Sequence, residues 1–321
     1  MFEEPNDPIT TETKFELDGE THRNSSVFVR LWAFRELMFT LVKRDLKIRY
    51  KTSTFGLFWS FGRPLFMMLV IAAVFSGLVK ITSGHPLLPY QLHLLTALLP
   101  WFFFAGTCSD SLYSIIGNEN VIKKIWMPAE VFPAAAVVSQ LIHFFLALMV
   151  LCIFVLGFSL FWPIPDGHAG AGEAVGWLIM PGWEILLLPI LILLQTLLVL
   201  GISLCLSSVN VFFRDLGSIT EIVLSAWFYL TPIIYPANFA REQLEDKGLA
   251  FLYWIYLLNP MTPLVIGYRR VFFGKLFRLA PEVSDETLVL SLGCCLVTTC
   301  ALLFLGTVLY KRLSNRFADE L

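Results

Sequence analysis

Charged residues are scarce in this chain of 321 residues, where Asp, Glu, Lys and Arg together make up 15%. A typical soluble domain has about 25%. Apolar residues make up 57%, and the mean hydropathy is +0.72. This composition excludes an ordinary soluble domain and indicates an integral membrane protein. An excess of positive charge is also missing, since the net charge is −2, so we expect no nucleic-acid partner.

The chain also lacks the spacing patterns of common chemical sites. All six cysteines lie within apolar runs, and their spacing fits neither a disulfide framework nor a zinc site. No grouping of residues resembles a metal centre or an activated nucleophile. We therefore expect no metal, no bound cofactor and no catalytic residue in this chain.

The first residues show no targeting pattern. Residues 1–27 are polar and acidic, without the basic and apolar regions of a secretory signal peptide. We predict that they form a disordered cytosolic tail.

Long apolar runs follow this tail. They predict an all-α integral membrane protein with six transmembrane helices, at about residues 59–79, 92–116, 131–161, 184–209, 219–235 and 287–310. Lysine and arginine cluster before the first run, between the second and third, and after the sixth, whereas residues 162–183 contain none. The positive-inside rule therefore predicts that both termini are cytosolic.

The stretch before the first span predicts an amphipathic helix that lies on the membrane surface. Its apolar positions, spaced as on one helix face, are Phe34, Leu37, Met38, Leu41 and Val42. The opposite face is polar, with Glu36, Thr40, Lys43 and Lys47. The span that follows contains a single charge, Arg63, near its start.

Residues 236–285 do not fit the simple topology, because they should be external yet contain six basic residues. Pro260 and Pro263 interrupt the apolar stretch within this region, which excludes one continuous helix. One interpretation is a seventh span with two prolines at mid-membrane. The other is a pair of short re-entrant helices that enter and leave on the outer side. We favour the re-entrant pair, with its reversal at Asn259, Pro260 and Pro263.

The loop between the second and third spans, residues 118–128, predicts a cytosolic helix of about two turns. Asn118 is a typical capping residue, and Pro128 would end the helix. On these features alone, an ordinary cytosolic connector is an equally good interpretation.

Several of these stretches together resemble the type-2 ABC exporter permeases of the polysaccharide branch, which are the Wzm, KpsM and TarG-like proteins. The matching stretches are RDLKIRYK at 44–51, GLFW at 56–59 with Pro64, NVIKK at 120–124 with Pro128, NVFFRD at 210–215, LTPIIYP at 230–236 and LNPMTP at 258–263. The resemblance extends from about residue 30 to residue 312, in register and in order. It implies that residues 28–321 form one ABC transporter type-2 transmembrane domain.

This resemblance implies a homodimer with six spans per subunit in the inner membrane. Each subunit would have an N-terminal amphipathic interface helix, a cytosolic coupling helix and a re-entrant pair of gate helices before the last span. The chain contains no G-x-x-x-x-G-K-[ST] phosphate loop, so ATP and Mg would bind two copies of a separate ATPase subunit.

The resemblance also implies roles for particular residues. The ATPase would dock on the coupling and interface helices, at Glu119, Asn120, Lys123, Lys124, Met127, Pro128, Lys43 and Lys47. The gate would include Asn259, Pro260 and Pro263. Charges that only anchor the topology by reaching the membrane surface are the simpler interpretation of the lysines.

The substrate implied by the resemblance is a lipid-linked polysaccharide that moves outward from the inner leaflet. We expect Arg63 to contact the lipid pyrophosphate, because a guanidinium group suits phosphate geometry. We expect the aromatic residues Phe55, Phe58, Trp59 and Phe66 to line a channel for sugar rings. An arginine that pairs with membrane phosphates, and aromatic residues that face lipid, are the alternatives.

The sequence therefore predicts the permease subunit of an ATP-driven exporter of undecaprenyl-pyrophosphate-linked polysaccharide, with O-antigen as the favoured cargo. It performs no bond chemistry. One alternative is an exporter of a drug or small lipid with the same fold. Another is a secondary transporter or scramblase without an ATPase, although such carriers usually have inverted repeats and charges near mid-membrane.

Overall fold

The computed structural model describes residues 27–51, 58–83, 88–123, 128–161, 182–277, 281–314 and 316–320. All regular structure in these residues is helical. Outside the described residues lie residues 1–26 of the predicted tail, Phe55, Lys124, Met127 and most of the predicted external loop at 162–183.

Four helices are long and apolar enough to cross a membrane. They are α4, Tyr90–Leu112; α6, Val131–Phe161; α7, Leu188–Asn210, which continues a 3-10 turn at Trp183–Leu187; and α12, Asp285–Ser314. Each coincides with a predicted span. The second span is shorter than predicted, because α4 ends at Leu112 and tight turns follow it.

Two apolar helices are shorter. Helix α3, Phe58–Ile71, continues as a π-helix over Ala72–Leu78, and α8 is Leu216–Tyr229. The 14 residues of α8 rise about 21 Å, less than the roughly 30 Å of a hydrocarbon core. The predicted fifth span therefore ends too late: α8 ends at Tyr229, because Pro232 and Pro236 prevent its continuation.

The N-terminal segment forms two helices, α1 at Val27–Ala33 and α2 at Arg35–Lys51. The predicted amphipathic pattern is confirmed. Phe34, Leu41 and Val42 are buried against the start of α6, whereas Lys43 and Lys47 are exposed. These two helices, which we call the interface helices, therefore pack against the start of α6.

Between α8 and α12 the chain forms three more helices. They are α9, Ala237–Asp246; α10, Ala250–Leu258; and α11, Met261–Phe277. Helices α10 and α11 meet at a bend of 81°, and the predicted break at Asn259 and Pro260 separates them. Pro263, predicted to be part of the reversal, lies instead in the first turn of α11, where proline is tolerated.

The helices pack around α4, most of which is buried. Helices α6, α7 and α11 surround it, and nearly every residue of α11 is buried as well. The backbones of α7 and α12 approach each other closely. A Cβ atom on Gly201 would lie 2.7 Å from the backbone nitrogen of Leu303, and one on Gly306 would lie 2.5 Å from the carbonyl oxygen of Gly201. Glycine is thus required for this backbone contact.

Two further short helices complete the described chain: α5 at Glu119–Ile122, after a 3-10 turn at Ile116–Asn118, and α13 at Phe317–Glu320. The ring of Phe317 contacts Tyr310 edge-on, with ring centroids 5.5 Å apart. The C-terminal helix thereby packs against the end of α12.

Candidate functional site

A cavity of about 800 Å³ lies between α3, the second half of α4, α6 and α8. Part of its wall is aromatic, from Trp101, Phe102, Phe228 and Tyr229. The rest is unusually polar for a membrane protein. Its polar and charged residues include Arg49, Arg63, Asp110, Gln140, His143, Thr220, Glu221 and Ser225. Polar side chains in the interior of membrane proteins often mark transport pathways.

Arg63 lines this cavity, as the predicted contact with an anionic group requires. Its guanidinium carbon lies 5.2 Å from the centroid of the Phe102 ring, in a cation–π contact. The side chain is exposed, and among the described residues no carboxylate forms an ion pair with it. Arg63 thus has hydrogen-bond donors available for a ligand.

A second arginine of the cavity is already paired. The guanidinium of Arg49, at the end of α2, donates a 2.7 Å hydrogen bond to the Asp110 carboxylate. The amide of Gln140 donates to the same carboxylate oxygen at 2.5 Å. Asp110 therefore joins an interface helix to α4 and α6.

The Arg49–Asp110 pair also lines a second cavity of about 440 Å³, beneath α2. Ser109 and Tyr113 line both cavities as well. The ring of Tyr113 reaches the first turn of α8, where a Cβ atom on Gly217 would lie 2.3 Å from the Tyr113 hydroxyl. This ring and the ion pair therefore lie on the boundary between the two cavities.

The predicted coupling helix is described in its first part. Helix α5 extends over four residues, and Lys123 forms an exposed ion pair with Glu119 at 2.6 Å. Asn120 is exposed and Pro128 is buried. Asn118 occupies the predicted N-cap position of α5, but its side chain makes no capping bond. It donates instead to the Ser114 carbonyl at 2.7 Å and accepts a 2.7 Å bond from Arg44.

The predicted channel aromatics have different surroundings. Phe66 is exposed over 68% of its surface and is not part of the cavity wall. Phe58 and Trp59 belong to α3, but their side chains lie outside the described ones. Their role as channel lining stays a prediction. The aromatic rings on the cavity wall, chiefly Trp101 and Phe228, are separated from these residues along the chain, so local sequence gives no signal for them.

The predicted gate residue Asn259 connects the 81° bend to α8. Its side-chain oxygen accepts bonds from the indole of Trp227 at 2.7 Å and from the backbone of Met261 at 3.0 Å. Its nitrogen donates to the Leu230 carbonyl and the Thr231 hydroxyl, both at 3.2 Å. Since α8 also forms a wall of the cavity, the bend and the cavity share one helix.

A buried ionic cluster lies near the N-terminal end of α4. The guanidinium of Arg269, 1% exposed, pairs with Glu282 at 3.2 Å. It also donates to the carbonyls of Pro232 and Ile233, at 2.6 and 3.2 Å. The Tyr90 hydroxyl donates to the Ile234 carbonyl at 2.6 Å. We call this group the Arg269 cluster, and sequence reasoning missed it.

Comparison with known proteins gives relatives that are named as export or transport proteins for O-antigen or polysialic acid. The chain is 28% identical over 286 residues to the O-antigen export system permease protein RfbA of Klebsiella pneumoniae, covering 89% of this chain and 95% of that protein. It is 30% identical over 244 residues to the protein of the same name from Myxococcus xanthus, covering 76% and 82%. The polysialic acid transport protein KpsM of Escherichia coli is 23% identical over 276 residues, covering 84% and 91%.

The family comparison agrees with these relatives and with the helical architecture. The family described as ABC-2 type transporter matches residues 36–273, from the start of α2 almost to the end of α11. This match includes the interface helix α2, the cavity and the 81° bend. The chain therefore belongs to the ABC-2 type transporter family, as a permease subunit in a membrane.

Proposed function

We propose that this chain is the transmembrane subunit of an ATP-driven exporter of polysaccharide linked to undecaprenyl pyrophosphate, with O-antigen as the cargo. The observation that carries the proposal is Arg63, a guanidinium without an ion-pair partner in the described residues, on the wall of an 800 Å³ cavity. Two relatives named as O-antigen export permeases, each of which aligns with more than three quarters of this chain, support the choice of cargo.

The proposed topology has six spans, with both termini in the cytosol of a cell with an inner membrane. Helices α3 and α8 are the two short spans, and α10 and α11 form the re-entrant pair. The bend of 81° supports a reversal, because one continuous span would be closer to straight. The proposal also includes a homodimer, and the exposed apolar residues of α8, such as Ile219, Ile222 and Val223, are available for contact with a second copy of the chain or with lipid.

In the proposed mechanism, the pyrophosphate enters the cavity at its cytosolic end and binds the guanidinium of Arg63. Arginine suits this role because its planar fork matches phosphate oxygens, while Phe102 holds the group over its ring. The aromatic wall accepts sugar rings without a requirement for one linkage. Two ATPase subunits would dock on the loop at 118–128, and their closure would move the spans and expose the cavity to the other side.

The test is to replace Arg63 with glutamine and to measure surface glycan in cells that depend on this permease. Loss of one charged donor to phosphate should lower export by about tenfold or more. Protein level and association with the ATPase should stay normal. Arg312→Gln, at the exposed end of α12 and outside the cavity wall, is the matched control. Normal export by the Arg63 variant at normal protein level would contradict the assigned role.

A further inference from the structure

Three arginines of the interface helices each contact a different element, namely the turn before α5, the residue before α6, and α4. Arg44 donates a 2.7 Å hydrogen bond to Asn118, just before α5. Arg30 forms an ion pair with Glu130, just after the loop that contains α5. Arg49 pairs with Asp110 on the cavity wall. The predicted coupling loop is therefore bonded to the interface helices on both of its arms.

The contact on the second arm is buried. The side chains of Arg30 and Glu130 are 9% and 7% exposed, so neither charge can turn to solvent if its partner is lost. This ion pair thus joins α1 to the residue that precedes α6.

Apolar packing strengthens the same junction. Phe34, Leu41 and Val42 of the interface helices form one buried cluster with Val131, Phe132 and Ala135 of α6. Partly buried Val121 and Ile122 of α5 pack against this cluster. A displacement of the loop would therefore carry the interface helices with it, since close-packed groups transmit movement.

We propose that the Arg30–Glu130 and Arg44–Asn118 contacts are positioning contacts that join the coupling loop to the interface helices as one unit. Movement of the loop then displaces α2, and with it Arg49 on the cavity wall. This displacement adds to any movement that α4 and α6 receive directly from the loop. The inference rests on the proposed function in one respect, namely that residues 118–128 receive the ATPase.

The experiment compares export with ATP hydrolysis. Glu130→Gln removes the buried charge pair but keeps the size of the side chain. We expect the complex with the ATPase to assemble and to hydrolyse ATP within about twofold of the unmodified complex, while surface glycan falls about fivefold or more. A merely structural role would lower protein level and leave the ratio of export to hydrolysis unchanged. The matched control is Glu245→Gln, the same change in an exposed ion pair with Arg241 on α9.

Three further variants keep the test informative if Glu130→Gln proves unstable. Asn118→Asp retains an acceptor for Arg44 and should export normally, whereas Asn118→Ala should lower the ratio of export to hydrolysis. The double change Arg30→Glu with Glu130→Arg restores opposite charges and should recover part of the lost export. Unchanged ratios in both Glu130→Gln and Asn118→Ala would overturn the proposal.

Failure of the proposed function has a different signature. Replacement of Glu119 and Lys123, with Lys124, by alanine should weaken co-purification of the ATPase if the loop is the docking site. If that triple variant still binds the ATPase and exports normally, the loop is not the docking site and the premise is wrong. If docking is lost in the triple variant but the Glu130 and Asn118 variants export normally, only the positioning role fails.

Discussion

Arg63 and Arg269 show two opposite uses of arginine within one membrane protein. Arg63 is exposed on the wall of a cavity and contacts an aromatic ring. Arg269 is 1% exposed and bonds a carboxylate and two backbone carbonyls. The first has donors left for a ligand, while the second uses its donors for the fold. An arginine among apolar residues therefore indicates a ligand site only when its partners in the structure leave it available.

The largest expected effect lies in the Arg269 cluster. Glu282→Gln leaves the charge of Arg269 buried without its counter-ion, which should cost about 3–5 kcal/mol of stability. Thermal unfolding of the purified permease, followed by size-exclusion chromatography of heated samples, measures the loss. The control is Asp285→Asn, whose side chain is 75% exposed and pairs with the neighbouring Arg270. It should cost less than about 1 kcal/mol. Equal losses of stability in Glu282→Gln and Asp285→Asn would contradict the proposed difference between a buried and an exposed ion pair.

An intermediate effect is expected where α7 and α12 touch. Gly306→Ala would put a Cβ atom 2.5 Å from the carbonyl oxygen of Gly201, so the two backbones must separate. Such overpacking costs about 1–3 kcal/mol. Gly293→Ala in the same helix meets no atom within 4 Å and should be neutral or stabilising by about 0.5–1 kcal/mol. The same thermal unfolding assay measures both variants. A loss of stability in Gly293→Ala equal to that in Gly306→Ala would contradict the explanation by close backbone packing.

The smallest effect on stability is expected at the cavity. Asp110→Asn weakens the pair with Arg49, whose side chains are 44% exposed for the arginine and 35% for the aspartate. Water can replace the lost interaction, so the change should stay below about 1 kcal/mol. A loss as large as that of Glu282→Gln would mean that the ion pair at the cavity and the Arg269 cluster do not differ as proposed.

Local patterns in the sequence predicted the features that depend on neighbouring residues. Continuous apolar runs predicted α4, α6, α7 and α12, and prolines predicted the break between α10 and α11. The amphipathic spacing predicted the buried and exposed faces of α2. Each of these signals acts within a few residues of the chain, where helix periodicity and proline geometry decide the outcome.

Contacts between distant residues were not predictable in the same way. Asn118 has the residue type of a cap, but a guanidinium 74 positions earlier in the chain competes for its oxygen. Arg269 did not fit the positive-inside rule, because it is a basic residue in a region predicted to be external. Its partners, Pro232 and Glu282, lie on separate connectors, so local sequence does not reveal them. The cavity wall combines side chains from several helices, which periodicity within one helix does not reveal.

The shortness of α8 has a consequence for the surrounding lipid. In the proposed six-span topology, a helix that rises about 21 Å does not match a hydrocarbon layer of roughly 30 Å, so the bilayer beside it would thin or the protein would supply the remaining height. The irregular connector after α8 can lie at that depth because the Arg269 cluster and Tyr90 bond its carbonyls in place of water. Hydrophobic mismatch at this helix would therefore shorten the apolar barrier next to the cavity.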